Sequence, residues 1–312
     1  MNNRITQMTG AKLPIIQAPM GWIARAQLAS AVCDAGGLGI IETSSGEFDN
    51  IQQEIQKLRG LTDKPFGLNI AMAFLRGANV VDFVVEQGIN FVTTSAGSPG
   101  KFTQALKEAG VTVFHVVPSL EGALKAIDAG VDGLVVEGGE GGGFKSPNPV
   151  SSMVLLPLIR SQTDVPIVAA GGITDGASMA AAFALGAEGV QMGTRMVSSA
   201  ESPVHNNWKN AIVAANETDT VFLNQQAKPC FRALRTERTA KLLPMGSFDP
   251  TEHMMNMQDL YFGGDMEAAI PLTGQVAGRI DEIKPVAQIL EETMQEFHTI
   301  IASLSSQYSV SN

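Results

Sequence analysis

Two glycine-bearing turns carry the most readable chemistry in the sequence. AAGGITDG (169–176) and QMGT (191–194) each extend a short apolar run. Gly171 and Gly172 have no side chain, so their backbone N–H groups can close on phosphate oxygens. Gly193 and Thr194 add further N–H donors and a hydroxyl. The plain alternative is that these glycines only permit tight turns. Other apolar runs also end in small or neutral polar groups: Gln17-Ala18-Pro19-Met20, Asn69, Ser95-Ala96-Gly97 and Glu137-Gly138. Such groups offer backbone contacts and hydrogen bonds to a flat ligand with polar edges. They supply no metal-ligand set, no Ser/His/Asp arrangement and no strand-end lysine for a Schiff base. No metal is expected.

These positions need elements that bring them together. The apolar runs are PIIQAP, LGIIE, FGLNI, FVTTSAG, VTVFHVV, GLVVEG, PIVAAGG and GVQMGT, starting at residues 14, 38, 66, 91, 111, 133, 166 and 189. Each is short, rich in β-branched residues and continuously apolar, as strands of a parallel sheet buried on both faces are. Helical stretches such as AQLASAVCDAG and GASMAAAFALGA alternate with them, several ending in Gly. Eight strand–helix units predict a (β/α)8 TIM barrel, with working residues at the carboxyl ends of its strands and a phosphate site after the last two. An open doubly wound sheet remains the alternative on periodicity alone.

After Arg195 the pattern changes. Residues 199–275 are more polar, with methionines and turn signals and no regular strand pattern, and are expected to form a helical lid or appendage. PVAQILEETMQEFHTIIASL, following Lys284, predicts a long amphipathic helix that packs on the barrel or on a partner subunit. The expected division is a barrel of 1–198, joined by a C-terminal portion 276–306, and the lid. A homodimer is compatible with this layout.

Composition excludes several classes. The chain has 312 residues, 45% hydrophobic and 17% charged, with a net charge of −10. A large core is available. The acidity argues against binding nucleic acid or an anionic membrane surface. The polar start MNNRITQMTG has no apolar signal core, and no run of about 18 apolar residues appears. Cys33 and Cys230 show neither metal-ligand nor disulfide spacing and read as buried small hydrophobes. A cytoplasmic protein acting on a small molecule is expected.

The motifs at these spacings resemble the nitronate monooxygenase (2-nitropropane dioxygenase) family, which includes FMN-type enoyl-acyl-carrier-protein reductases and some NADH:quinone reductases. PIIQAPMGWIA, AVCDAGGLGII, LTDKPFGLNI, FVTTSAGSPGKF, VVPSLEGALKAIDAGVDGLVVEG, VPIVAAGGITDG, AFALGAEGVQMGTR, ESPVHNNWK and TGQVAGRI carry the likeness over nearly the whole chain. The resemblance implies FMN, and NAD(P)H as a reductant. It sets Ala18, Pro19 and Met20 beside the flavin ring, with Asn69 at the ring edge. Glu137 and Gln191 would face the ribityl chain or ring, and Gly171, Gly172, Gly193 and Thr194 the phosphate. Ser95 and Gly143 are further contacts. Met20 as an apolar filler, Asn69 as a turn cap and Glu137 as a paired structural carboxylate are the alternatives.

One position departs from the family. The loop Glu137-Gly-Gly-Glu-Gly-Gly-Gly-Phe144-Lys carries Phe144 where many relatives have a histidine. In nitronate monooxygenases that imidazole is the expected base for a nitroalkane's α-proton. Phenylalanine moves no proton, so Phe144 is expected to wall the pocket or stack on a ligand. Among the other histidines, His115 reads as a packed strand residue. His205 is a candidate to reach the site, against a surface or capping role. The expected activity is oxidation of nitronates or a related small substrate with dioxygen. Reduction of enoyl thioesters or quinones with NAD(P)H is the alternative.

Overall fold

Side chains alternate faces along a strand, and that alternation sorts the apolar residues into two groups. In a computed structural model, which describes residues 3–75 and 79–308, the strands are β1 (Ile15–Gln17), β2 (Gly39–Ile41), β3 (Phe66–Ala71), β4 (Phe91–Ser95), β5 (Thr112–Val117), β6 (Gly133–Glu137), β7 (Gly143–Lys145), β8 (Ile167–Ala170), β9 (Gly189–Met192), β10 (Thr220–Leu223) and β11 (Cys230–Leu234). Ile16, Leu38, Ile40, Phe91, Phe114, Val135, Val168 and Ala170 form one buried cluster, together with Ile5 and Ala11. Their neighbours Ile15, Ile41, Val92, Val113, Leu134, Val136, Ile167, Val190 and Met192 belong to a separate, larger cluster shared with the helices.

Two clusters separated by strand parity mean a sheet buried on both faces. The eight-stranded sheet runs β1-β9-β8-β6-β5-β4-β3-β2, with every neighbouring pair parallel. A parallel bridge between Ile16 and Leu38 joins β1 to β2 and closes the ring. Leu38 N–H donates to Ile15 O at 2.9 Å and Gln17 N–H to Leu38 O at 3.0 Å across that seam. This is the expected (β/α)8 barrel, and all eight expected strands form it. Helix Arg4–Thr9 places Ile5 against the inner cluster, with Met8 packed on it.

Two aromatic rings fill the interior where two glycines make room. Phe91 and Phe114 are both buried, with ring centroids 5.2 Å apart. A Cβ on Gly133 would lie 2.3 Å from Phe114 Cζ, and one on Gly67 would lie 2.9 Å from Phe91 Cδ1. On the outer face, His115 sits under the helices with Nδ1 2.6 Å from Thr94 Oγ1. Its burial lowers its pKa to about 4. The packing role expected for it is the one observed.

The C-terminal helix Val286–Tyr308 packs on the barrel through Ile289, Leu290, Met294 and Phe297. Gly176 lets it approach closely: a Cβ there would lie 2.4 Å from Phe297 N. Both cysteines are buried and free, and no helix among the described residues is long and apolar enough to cross a membrane.

The segment after the eighth barrel strand differs from expectation in one respect. It carries helices Asn206–Val213, Glu237–Leu242, Pro250–Met254 and Met257–Tyr261. It also carries β10 and β11, which pair antiparallel, and β11 pairs antiparallel with β7. Strands of four and five residues are too short for periodicity to speak, and their partner β7 lies far upstream in sequence. Val221, Leu223, Phe231, Ala233, Leu242 and Ile270 form a core for this small sheet.

Two stability outcomes follow. Gly133→Ala should cost about 1–3 kcal/mol, because the buried Phe114 ring has nowhere to move. Adding Phe114→Leu should recover part of that loss; denaturant unfolding of the single and double variants checks it. His115 binds a proton more readily unfolded than folded, so stability should fall as pH drops from about 6.5 towards about 4. The loss should be on the order of 2–3 kcal/mol. His115→Gln should flatten that part of the pH profile.

Candidate active site

The same parity that buries the core aims residues at the strand ends into the barrel mouth. Ala18, Glu42, Ser95, Glu137 and Gly172 share the inward register of cluster residues two or four positions before them, Asn69 pairs in register with Thr93, and Gln191 and Gly193 alternate with Val190 and Met192 of the outer cluster. The structure thus gathers most of the expected site residues at one end of the barrel.

On the β3–β4 side, Asn69 is 2% exposed. Its Nδ2 donates to Thr93 Oγ1 at 3.0 Å and Ser95 Oγ at 3.3 Å. It is therefore fixed on a strand facing inward and does not cap a turn. Ala18 N–H donates to Met192 O at 2.9 Å, which ties the end of β1 to β9. Met20 packs on the outer core while its carbonyl accepts from Ile23 and Ala24. Pro19 lies between them, partly exposed.

The β8 and β9 ends show the properties expected of an anion cradle. Gly171 and Gly172 have φ of 79° and 81°, a left-handed backbone that favours glycine. A Cβ on Gly171 would lie 2.8 Å from Gly138 O and 3.0 Å from Gly141 N. The N–H groups of Gly171, Gly172, Gly193 and Thr194 have no acceptor among the described residues. Gly193 and Thr194 open the short helix Thr194–Val197. A Cβ on Gly193 would meet only Ala18 Cβ, at 3.5 Å, so the space in front of it is open. Gln191 is 7% exposed, and its Oε1 is buried without a hydrogen-bond partner. Thr194 Oγ1 accepts from Gly274 N at 2.9 Å, fastening the TGQ turn over the site.

The loop after β6 folds back as β7. Glu137 pairs with Lys145, and the Lys145 side chain is only 3% exposed. Glu140 accepts from Ser152 N and Oγ, at 3.0 and 2.8 Å, at the start of helix Ser152–Arg160. Arg232 of β11 donates to Gly139 O at 2.7 Å, clamping the small sheet to this loop. Phe144 faces the other way from Lys145. It is 44% exposed and held between Phe74 and Phe231, with ring centroids 5.9 and 5.2 Å away. The position thus carries a partly exposed ring in an aromatic cluster.

No histidine supplies the missing base. His115 lies on the outer barrel face. His205 caps helix Asn206–Val213, its Nδ1 accepting from Asn207 N at 3.1 Å and its backbone N–H bonding Tyr261 O. The structure displays the capping contact at Nδ1, and Nε2 has no partner among the described residues. His253 lies beside Arg238 and Phe248, and His298 sits on the C-terminal helix against Phe297.

Several mouth residues escaped the sequence reading. Glu42 is fully buried and accepts from Trp22 N, Arg25 Nε, Ser44 Oγ and Ser45 N, pinning the loops after β1 and β2 together. Its place at the end of LGIIE was the available signal. Trp22 and Ala96 hold φ of 60° and 53°. Such backbone costs about 1–3 kcal/mol per residue and collects at functional sites. Trp22 edges onto Tyr261, which stacks on Trp208 at 4.8 Å. Burial, then the Glu42 carboxylate, push the Tyr261 phenol upward, so it stays protonated.

Known proteins place this geometry. The nitronate monooxygenase family model matches residues 2–78 and 71–296. A Rhodococcus jostii protein, named (3aS,4S,5R,7aS)-5-hydroxy-7a-methyl-1-oxo-octahydro-1H-indene-4-carboxyl-CoA dehydrogenase, is 33% identical, covering 83% of this chain and 70% of its own. A Staphylococcus saprophyticus protein named "Probable nitronate monooxygenase" is 32% identical, covering 72% and 76%. Among solved structures, FabK from Thermotoga maritima superposes with a TM-score of 0.92 at 39% identity, over 99% of this chain and 100% of that one. Nitroalkane oxidase from Streptomyces ansochromogenes gives 0.84 at 26% identity, over 97% and 100%. With a barrel mouth of this form and a family match along most of its length, the chain belongs to the nitronate monooxygenase family and is an oxidoreductase.

Proposed function

We propose that the chain holds FMN at the barrel mouth and uses reduced nicotinamide to reduce an α,β-unsaturated acyl thioester. The residues present fit the cofactor. Four backbone N–H groups without acceptors stand where barrels take a phosphate, and Gln191 Oε1 is an acceptor waiting for a donor. The amides of Gly171, Gly172, Gly193 and Thr194 would hold the phosphate. Gln191 and Glu137 would meet the hydroxyls of the linking chain. Asn69, Ser95 and the Ala18–Met20 turn would frame the ring. FMN, when bound, relays a hydride between donor and acceptor.

The observation that carries the choice of reaction is the Phe144 wall. An exposed ring braced by Phe74 and Phe231 suits an apolar acyl group, and no imidazole stands by to take a proton from carbon. Apolar walls with a few placed polar groups are the usual make-up of small-molecule sites. Hydride transfer to the β-carbon of an unsaturated thioester needs orientation and no base, and the proton that completes the α-carbon would come from solvent. The Rhodococcus relative, named for a carboxyl-CoA substrate, supports a thioester. The family match favours a second reading, oxidation of nitronates with dioxygen. A nitronate has already lost its proton, so that reaction also dispenses with a base.

Anaerobic mixing of the FMN-loaded protein with NADH or NADPH and crotonyl-CoA should give saturated product at steady state. No reduction of the thioester, together with turnover of propyl-2-nitronate in air, replaces the first reading by the second. In that case neutral 2-nitropropane should lag the nitronate by ~10²–10⁴-fold, the usual worth of a general base, and Phe144→His should narrow the gap. Gly193→Val should leave the circular dichroism spectrum unchanged and lower FMN affinity at least ~10-fold. Its side chain meets little protein yet blocks the approach to backbone donors. Fluorescence titration of the apoprotein checks this.

A further inference from the structure

The Lys145 ammonium is a strongly buried charge beside the mouth with donors to spare. Its side chain is 3% exposed, where lysine is almost always solvated. Among the described residues its Nζ donates only to Glu137 Oε1. An ammonium has three donors, so two protons lack acceptors in a place shielded from water. Burying a cation on such terms is costly unless a further anion completes the shell.

Its placement points to that anion. β7 pairs with β11 in a register that sets Lys145 opposite Cys230 and Phe144 opposite Phe231, so alternation turns the ammonium and the ring to opposite faces of the small sheet. A Cβ on Gly141 would lie 2.8 Å from Glu137 Oε1 and 2.9 Å from Lys145 Nζ, so the ion pair lies directly on that glycine. Gly141 N is in turn 3.0 Å from where a Gly171 Cβ would be. One glycine of the loop therefore separates the ammonium from the cradle. Carboxylates crowd the same place: Glu137 itself, and Glu140, whose Cδ lies 3.8 Å from a would-be Cβ on Gly172. A dianion entering beside two carboxylates in a chain of net charge −10 needs a fixed positive partner.

We propose that Lys145 is that partner: its ammonium, shared with Glu137, neutralises the phosphate of the bound flavin nucleotide. The proposal rests on the FMN reading and adds to it a residue that recognises the phosphate by charge, where the glycine turns recognise it by shape.

Riboflavin, which is FMN without the phosphate, separates this role from packing against the ring. Apoprotein is titrated with FMN and with riboflavin by fluorescence quenching, with melting curves recorded for each variant. Wild type should prefer FMN strongly. Lys145→Met should lower FMN affinity by about 10- to 100-fold, the loss expected for one charge-assisted hydrogen bond, and leave riboflavin affinity within about threefold. Equal losses for both ligands, or none for either, overturn the proposal. Should Lys145→Met fail to fold, Glu137→Gln decides. Freed from its rival anion, the ammonium should raise the ratio of FMN to riboflavin affinity, and an unchanged or lower ratio overturns the proposal. Wild type that binds neither flavin overturns the FMN reading itself.

Discussion

The pleat of the barrel strands is the constraint on which the rest depends. Its two-residue period commits every second side chain to the interior, and inside a ring of eight strands that space is limited. Towards the amino ends the space goes to Ile16, Ile40, Phe91 and Phe114, with Gly67 and Gly133 yielding volume to the two rings. At the carboxyl ends the same inward row is small or polar, ending in Ala18, Asn69, Ser95, Gly172 and Gly193. Core and site are thus two stretches of one row, and a one-residue slip in any strand would exchange its contributions to both.

The mouth is then finished by segments that come from far away in sequence. Thr194 accepts from Gly274, Arg232 holds Gly139, and Trp208 donates to Thr273 Oγ1 at 3.2 Å. The first ties the segment after the eighth barrel strand to the end of β9, the second to the loop that carries Glu137, Phe144 and Lys145, and the third holds that segment together. Glu42 does the same for the loop of Trp22 on the opposite side. Two aromatic groups with separate anchors stand at these loops: Phe74, Phe144 and Phe231 on the small-sheet side, and Trp22, Tyr261 and Trp208 on the other.

The barrel was legible because its strands are buried on both faces, which leaves continuous apolar runs bounded by glycine, and because most runs carry, at or near their end, a residue that faces the mouth. The glycine turns at 171–172 and 193 were legible for a related reason: a missing side chain signals close approach whatever the surrounding fold. The small sheet was not legible. VFL at 221–223 and CFRAL at 230–234 look like any apolar pair of short runs, and β7 is only GFK, given strand geometry by a partner almost ninety residues later. Lys145 escaped for the same reason, since nothing local marks a lysine beside a glycine run as buried. The conformations of Trp22 and Ala96 escaped because left-handed backbone at a non-glycine residue is imposed by contacts such as those of Glu42, which no local pattern encodes.

The central claim is that the turns after β8 and β9 form a cradle for the phosphate of FMN. A crystal structure of the protein grown with FMN tests it most directly. The account predicts the phosphate within hydrogen-bond distance of the Gly172 and Gly193 amides, the ring over the mouth beside Met20 and Asn69, and Gln191 Oε1 paired with a ligand hydroxyl. FMN bound elsewhere, or a phosphate that leaves those amides unpaired, would contradict it.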